Sequence, residues 1–228
     1  MRYFFKAKIE KQYDSYQIKI PFNVFEVSKK RGVIDADMEI NTINIDCQLT
    51  PANSNGRYKI NLSEDDVSKL GIFPINEEQE YDILLHIGES LVKFESESPY
   101  SVDNPIRKID SIEILIQPVD GLCSQTSIAM LAGVSIGDIV KIMGLREWQA
   151  KMVEMISALR YFGFEHSDTV IFTNGGDVTL PKCCIMMEKM ALYCHYLLYF
   201  DGVFYDPNLQ PFTEYDMSKL LGYLEVKV

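Results

Sequence analysis

Residues 117–133, QPVDGLCSQTSIAMLAG, hold the residue types in this chain best suited to covalent chemistry. Cys123 follows the Asp120-Gly121 pair and heads an apolar run that reads as a helix to about Ala132. A thiol at a helix N-terminus lies at the positive end of the macrodipole, which favours thiolate, the form that attacks a carbonyl carbon. Gln117 stands six residues upstream. Its side-chain amide and the Cys123 backbone N–H are the kind of donors that receive an oxyanion.

A nucleophilic thiol also needs a base, and the segment CHYLLYFDGVFYDPN, residues 194–208, offers His195. Asp201-Gly202 is a two-residue hairpin signal. Counting outward from that turn, Phe200 pairs with Val203, Leu197 faces Asp206 and His195 faces Asn208. Strand side chains alternate, so His195, Leu197, Asp206 and Asn208 share one face. Asp206 sits diagonal to the imidazole and Asn208 directly across, and either can hold Nδ1–H and orient the ring.

Two kinds of element must position these groups. Residues 1–98 read as short alternating strands: YQIKIPFNVF, DMEINTINIDCQLT, GRYKINL and EYDILLHIG. A small helix interrupts them at SEDDVSKLG, capped by Ser63 and stopped by Gly71. Residues 99–110 lie in a Ser-, Pro- and charge-rich stretch without periodicity and are predicted to form a linker. Residues 111–228 turn to helices and then strands. SIGDIVKIMG is a short helix capped by Ser135, and REWQAKMVEMISALRYFGF a longer one whose Trp148, Met152, Met155 and Leu159 recur at core-facing spacing. CCIMMEKM, YCHYLLYF and VFYDPN follow as strands. The predicted fold class is α+β: a small, mostly antiparallel β-barrel-like domain, then an α+β domain of helices followed by an antiparallel sheet.

Bulk properties narrow the function classes. The 228 residues carry a net charge of −11, with no basic patch, so nucleic acid is not an expected partner. The N-terminus is charged too early for a signal peptide, and no apolar run approaches the ~18–20 residues of a membrane span. The expected location is cytoplasmic. Five cysteines and three histidines include no C-x-x-C pair, so neither a disulfide framework nor a metal site is expected, and no cofactor is implied. Cys183 and Cys184 point to opposite faces of a strand, Cys194 faces away from His195, and all three read as core thiols. Cys47 and His86 read as strand residues of the first half, and His166 as a loop residue. TNGGD, residues 173–177, has glycines but no strand–loop–helix setting and reads as a turn.

A Gln six residues before a helix-opening Cys, then a strand His and a following Asp or Asn, resembles the papain-like cysteine peptidases. The similarity is greatest to their bacteriocin-processing (double-glycine leader) branch and its stand-alone relatives, and spans residues 111–215. That resemblance implies a papain-like domain in which Cys123 is nucleophile, His195 general base, Asp206 its orienter and Gln117 the oxyanion donor, with a peptide or protein as substrate. The same acyl-enzyme would serve an acyltransferase or transpeptidase, and an inactive peptide-binding protein with this fold is the non-enzymatic alternative. Ser124 departs from the family, which usually has Gly after the Cys. Most of residues 3–88 resemble an uncharacterised family of small bacterial β-barrel domains, which implies a binding or substrate-presenting module.

Overall fold

The computed structural model describes residues 1–228 except 53–55, 90, 91, 93, 95, 145–147, 174, 176, 177, 191 and 192. The predicted turns over 50–57 and 173–177, and the predicted start of the long helix at 146, therefore lie partly outside the described residues. The chain divides into two compact units, Met1–Ser90 with Asp168–Thr173, and Leu91–Ser167 with Asn174–Val228.

The first unit is a closed six-stranded antiparallel barrel. Its strands are β1 (Arg2–Gln12), β2 (Ser15–Lys19), β3 (Ile34–Ile40), β4 (Ile43–Pro51), β5 (Tyr58–Leu62) and β6 (Glu80–Ile87). Pairing runs β1–β2–β5–β4–β3–β6 and returns to β1, so no edge is left open within this ring. Alternation supplies the interior: Phe5, Ile9, Ile18, Met38, Ile60 and Leu85 are fully buried. DMEINTINIDCQLT, read as one strand, is split by Asn41 and Thr42, both at positive φ, into the β3–β4 hairpin. YQIKIPFNVF likewise ends as a strand at Lys19. Its remainder enters helix α1 (Val24–Ser28), whose first turn is held by Asn23 Oδ1, the acceptor for Phe25 N–H and Glu26 N–H. Helix α2 (Glu64–Lys69) follows Ser63 in a reciprocal capping box with Asp66.

The second unit holds helices α3 (Cys123–Ala132), α4 (Ile136–Met143) and α5 (Met152–Tyr161). Strand β7 (His166–Phe172) follows, so His166 opens a strand rather than lying in a loop. Within β7, Asp168–Thr173 belong to the barrel unit, where Val170 pairs parallel with Tyr3 and Phe172 stacks on Phe22 at 3.8 Å. Strands β8 (Cys183–Lys189), β9 (Cys194–Phe200), β10 (Val203–Tyr205) and β11 (Leu220–Val226) form an antiparallel sheet in the order β10–β9–β8–β11.

The segment 99–110 belongs to this second unit. Its order comes from contacts that periodicity does not register. Ile109 is buried, Ile106 N–H donates to the Phe162 carbonyl at 3.0 Å, and Arg107 donates to the Ser111 carbonyl at 2.7 Å. Helix α3 is buried on every side and packs against β9, α4 and α5. A helix without a wet face is held in place by its surroundings, which fixes where its N-terminus points.

Among the described residues no single helix is long and apolar enough to cross a membrane.

Candidate active site

Gly121 sets up the thiol. At φ +88° it takes a backbone conformation that side-chain-bearing residues rarely adopt, and the turn it makes delivers Leu122 and Cys123 to the start of α3. Leu122 offers no side-chain cap, so the first-turn N–H groups keep their positive pole beside Cys123, which is 3% exposed. The next four residues, Ser124 to Ser127, are polar and fully buried. Ser124 donates to Gln125 Oε1 at 2.8 Å, and Gln125 Nε2 donates to the Trp148 carbonyl at 2.6 Å. The Ser124 hydroxyl is thus satisfied within the helix, and Gln125 ties Trp148 and Ala150 to it.

The base arrives on the hairpin. Asp201 and Gly202 both have positive φ, and Phe200 pairs with Val203, the register the two-residue turn predicts. The ladder ends at Tyr205, because Pro207 cannot continue it, and the chain folds into a turn in which Leu209 N–H donates to the Asp206 carbonyl at 3.0 Å. Asn208 therefore never comes to lie across from His195. Asp206 does reach the imidazole, with its Oδ1 2.9 Å from His195 Nε2.

The expectation that Nδ1 would be the held nitrogen is corrected. A carboxylate only accepts, so Nε2 carries the proton it shares with Asp206 and Nδ1 is the nitrogen that Asp206 leaves free. The Cys123 side chain lies near enough to this imidazole to act on its charge. Asp206 Oδ1 also accepts Asn208 N–H at 2.8 Å, closing an Asx turn over Pro207.

Gln117 lies on the same network. Its Nε2 donates to Asn208 Oδ1 at 2.6 Å and its backbone N–H to the Pro207 carbonyl at 2.8 Å. Its Oε1 is buried without a partner among the described residues. His195, Asp206, Asn208 and Gln117 are thus joined in one hydrogen-bonded chain, with Cys123 beside the imidazole and Asn208 on Gln117 rather than on the ring.

Electrostatics follow from this geometry. Burial opposes charge on His195, but the Asp206 carboxylate and the Cys123 sulfur outweigh it and push the imidazole up to about 10. Burial would raise Asp206 as well, yet the imidazole and Asn208 N–H hold it below its usual value. The side chains of the pair are only 12% and 11% exposed, so bulk water screens their attraction little. Burial also acts on three thiols away from the site. Burial pushes Cys47 and Cys183 up to about 12, with Asp37 and Asp46 reinforcing it at Cys47, and Cys184 is raised well above its ordinary value. These sulfurs stay protonated and inert.

Three neighbours escaped sequence reasoning. Glu188 pairs directly across from His195 in the β8–β9 register, and its carboxylate accepts the Tyr215 hydroxyl at 3.2 Å. Tyr215 stacks on Phe204, roofing this end of the hairpin with aromatic surface. Counting back along CCIMMEKM cannot find Glu188 without the β8–β9 loop length in hand. The spacing puts Trp148 on the core stripe, but it is 60% exposed and precedes α5, which begins only at Met152. Its ring lies about 3.4 Å from where a Cβ on Gly121 would sit, whereas Met152, Met155 and Leu159 are buried as their spacing predicts.

A cavity of about 910 Å³ opens on the barrel instead, lined by Arg2, Asp37, Asp46, Lys69 and His86 among others. His86 Nδ1 is 3.2 Å from Asp37 Oδ2, and among the described residues that line this cavity there is no thiol or hydroxyl. Among the described residues no group of His, Cys, Asp and Glu is arranged to hold a metal ion.

The geometry therefore stands without a named relative: no family model, no curated protein and no solved structure matches this chain.

Proposed function

We propose that this chain is a thiol peptidase with a Cys123–His195–Asp206 triad and Gln117 as oxyanion donor, the papain-like chemistry its sequence resembles. The observation that carries the reading is the buried His195–Asp206 pair, with the Cys123 sulfur acting on the same imidazole. Thiolate attacks the peptide carbonyl carbon, a C–S bond forms, and the charge moves to oxygen. The Cys123 backbone N–H and the Gln117 amide receive that oxyanion. The His195 imidazolium protonates the departing amine as the C–N bond breaks. His195, now neutral, takes a proton from water as its oxygen attacks the thioester; the C–S bond breaks and the thiolate–imidazolium pair returns.

The same acyl-enzyme resolved by an amine gives transpeptidation, and which outcome dominates depends on the acceptor that reaches the thioester. Exposed apolar side chains flank the site in sequence: Val119 and Leu209 near Gln117 and Asn208, and Trp148 over Gly121. They suit an extended peptide with apolar residues around the scissile bond.

The test is incubation of a mixed peptide library with wild type and with Cys123→Ala, read by mass spectrometry with and without an added primary amine. New peptide termini appear with wild type only, and amine adducts replace part of them when acceptor is present. Identical peptide sets from the two proteins would refute the proposal.

A further inference from the structure

We propose that Asn208 is a positioning residue for the oxyanion donor, a role that rests on the reading of Cys123 as nucleophile. A primary amide is nearly symmetric in shape, so packing alone does not decide which way the Gln117 side chain is turned. Asn208 decides it. Its Oδ1 takes one of the two Gln117 Nε2 hydrogens at 2.6 Å, and the flipped amide would set two carbonyl oxygens against each other at that distance. With one N–H committed to Asn208, the second is left for an oxyanion.

The backbone that carries Asn208 is itself fixed. Its backbone N–H is held by Asp206 Oδ1 at 2.8 Å, and the intervening Pro207 carbonyl accepts the Gln117 backbone N–H, also at 2.8 Å. The turn 206–208 therefore clamps both the imidazole's orienter and the oxyanion donor.

Two reactions of the same thiol separate this role from a merely structural one. Acylation by p-nitrophenyl acetate passes through an oxyanion: the C–S bond forms, and the C–O bond breaks to release p-nitrophenolate. Alkylation by iodoacetamide displaces iodide and forms no oxyanion. Gln117→Ala is expected to slow acylation on the order of 10²-fold. Asn208→Ala, which leaves the amide present but unaimed, is expected to slow it on the order of tenfold or more. Adding Asn208→Ala to Gln117→Ala slows acylation no further, because the residue acts only through that amide. Alkylation is unchanged in all three variants.

Acylation at the wild-type rate in Asn208→Ala, a further loss in the double variant, or equal slowing of acylation and alkylation would each overturn the positioning role. Any of these leaves the nucleophile reading standing so long as wild-type Cys123 acylates. A wild type that neither acylates nor alkylates faster at Cys123 than at its other thiols overturns both.

Discussion

Replacing His195 by Ala is expected to lower acyl transfer by Cys123 by roughly 10⁴-fold at neutral pH. Two losses combine. The imidazolium that stabilises negative charge on sulfur disappears, and so does the proton donor for the departing amine. Because the imidazole is held up at about 10, it remains charged across the whole physiological range in the resting protein. The variant thus gives up a charge that is present at every working pH. The fold should survive, since Tyr196, Leu197 and Leu198, each fully buried, make the packed surface of β9 and are unchanged. Steady-state rates on the best library peptide, with circular dichroism as the check on folding, measure this directly. A loss below tenfold would mean that another group does the proton transfer.

Asp206→Asn carries the second large effect, expected to be on the order of 10²–10⁴-fold in kcat, because the amide can present either N–H or C=O to Nε2 and no longer compels the tautomer. It also has a pH signature. His195 is raised in the folded protein, so its contribution to stability is complete below the unfolded imidazole value of about 6.5. That contribution is lost as pH rises through about 10. Asp206 is lowered, so its contribution is present above about 3.9 and lost as pH falls through its depressed native value. The difference in Tm between wild type and Asp206→Asn is therefore greatest from about pH 4 to 6.5, and narrows steadily toward pH 10. The alkaline limb of the wild-type pH–rate profile lies near 10 and moves downward in the variant. A Tm difference independent of pH would show that the pair does not hold opposite charges.

The parts of this molecule written in local signals were legible in the sequence. Helix α3 spans the residues its apolar run predicts, Ser63 and Ser135 cap where their types say they should, and Asp201-Gly202 fixes the hairpin register. From that register the proximity of Asp206 to His195 followed by counting alone. What sequence could not supply was the end of the ladder. Strand parity continued past Tyr205 puts Asn208 across from His195. The proline at 207 turns the chain so that Asn208 meets Gln117, a residue 91 positions away in the chain.

The same limitation explains Trp148. Its spacing fits the stripe, but a helix must begin somewhere, and this one begins at Met152. Residues 99–110 are a third case: composition reads as linker, while Ile106, Arg107 and Ile109 order the segment through tertiary contacts no period reveals. The six-stranded closure of the barrel is likewise a property of pairing, since each strand alone shows only its alternation.

The central proposal is that His195 makes Cys123 a nucleophile. Its most direct measurement is the rate of iodoacetamide alkylation at each of the five cysteines against pH, by peptide mass spectrometry, in wild type and His195→Ala. In wild type, Cys123 should react at pH 6 on the order of 10²-fold faster than Cys47, Cys183 or Cys184. His195→Ala should erase that lead, leaving a rate that climbs only toward the ordinary thiol range of about 8.5. A Cys123 that reacts no faster than the other thiols, or one indifferent to the loss of His195, would contradict the account.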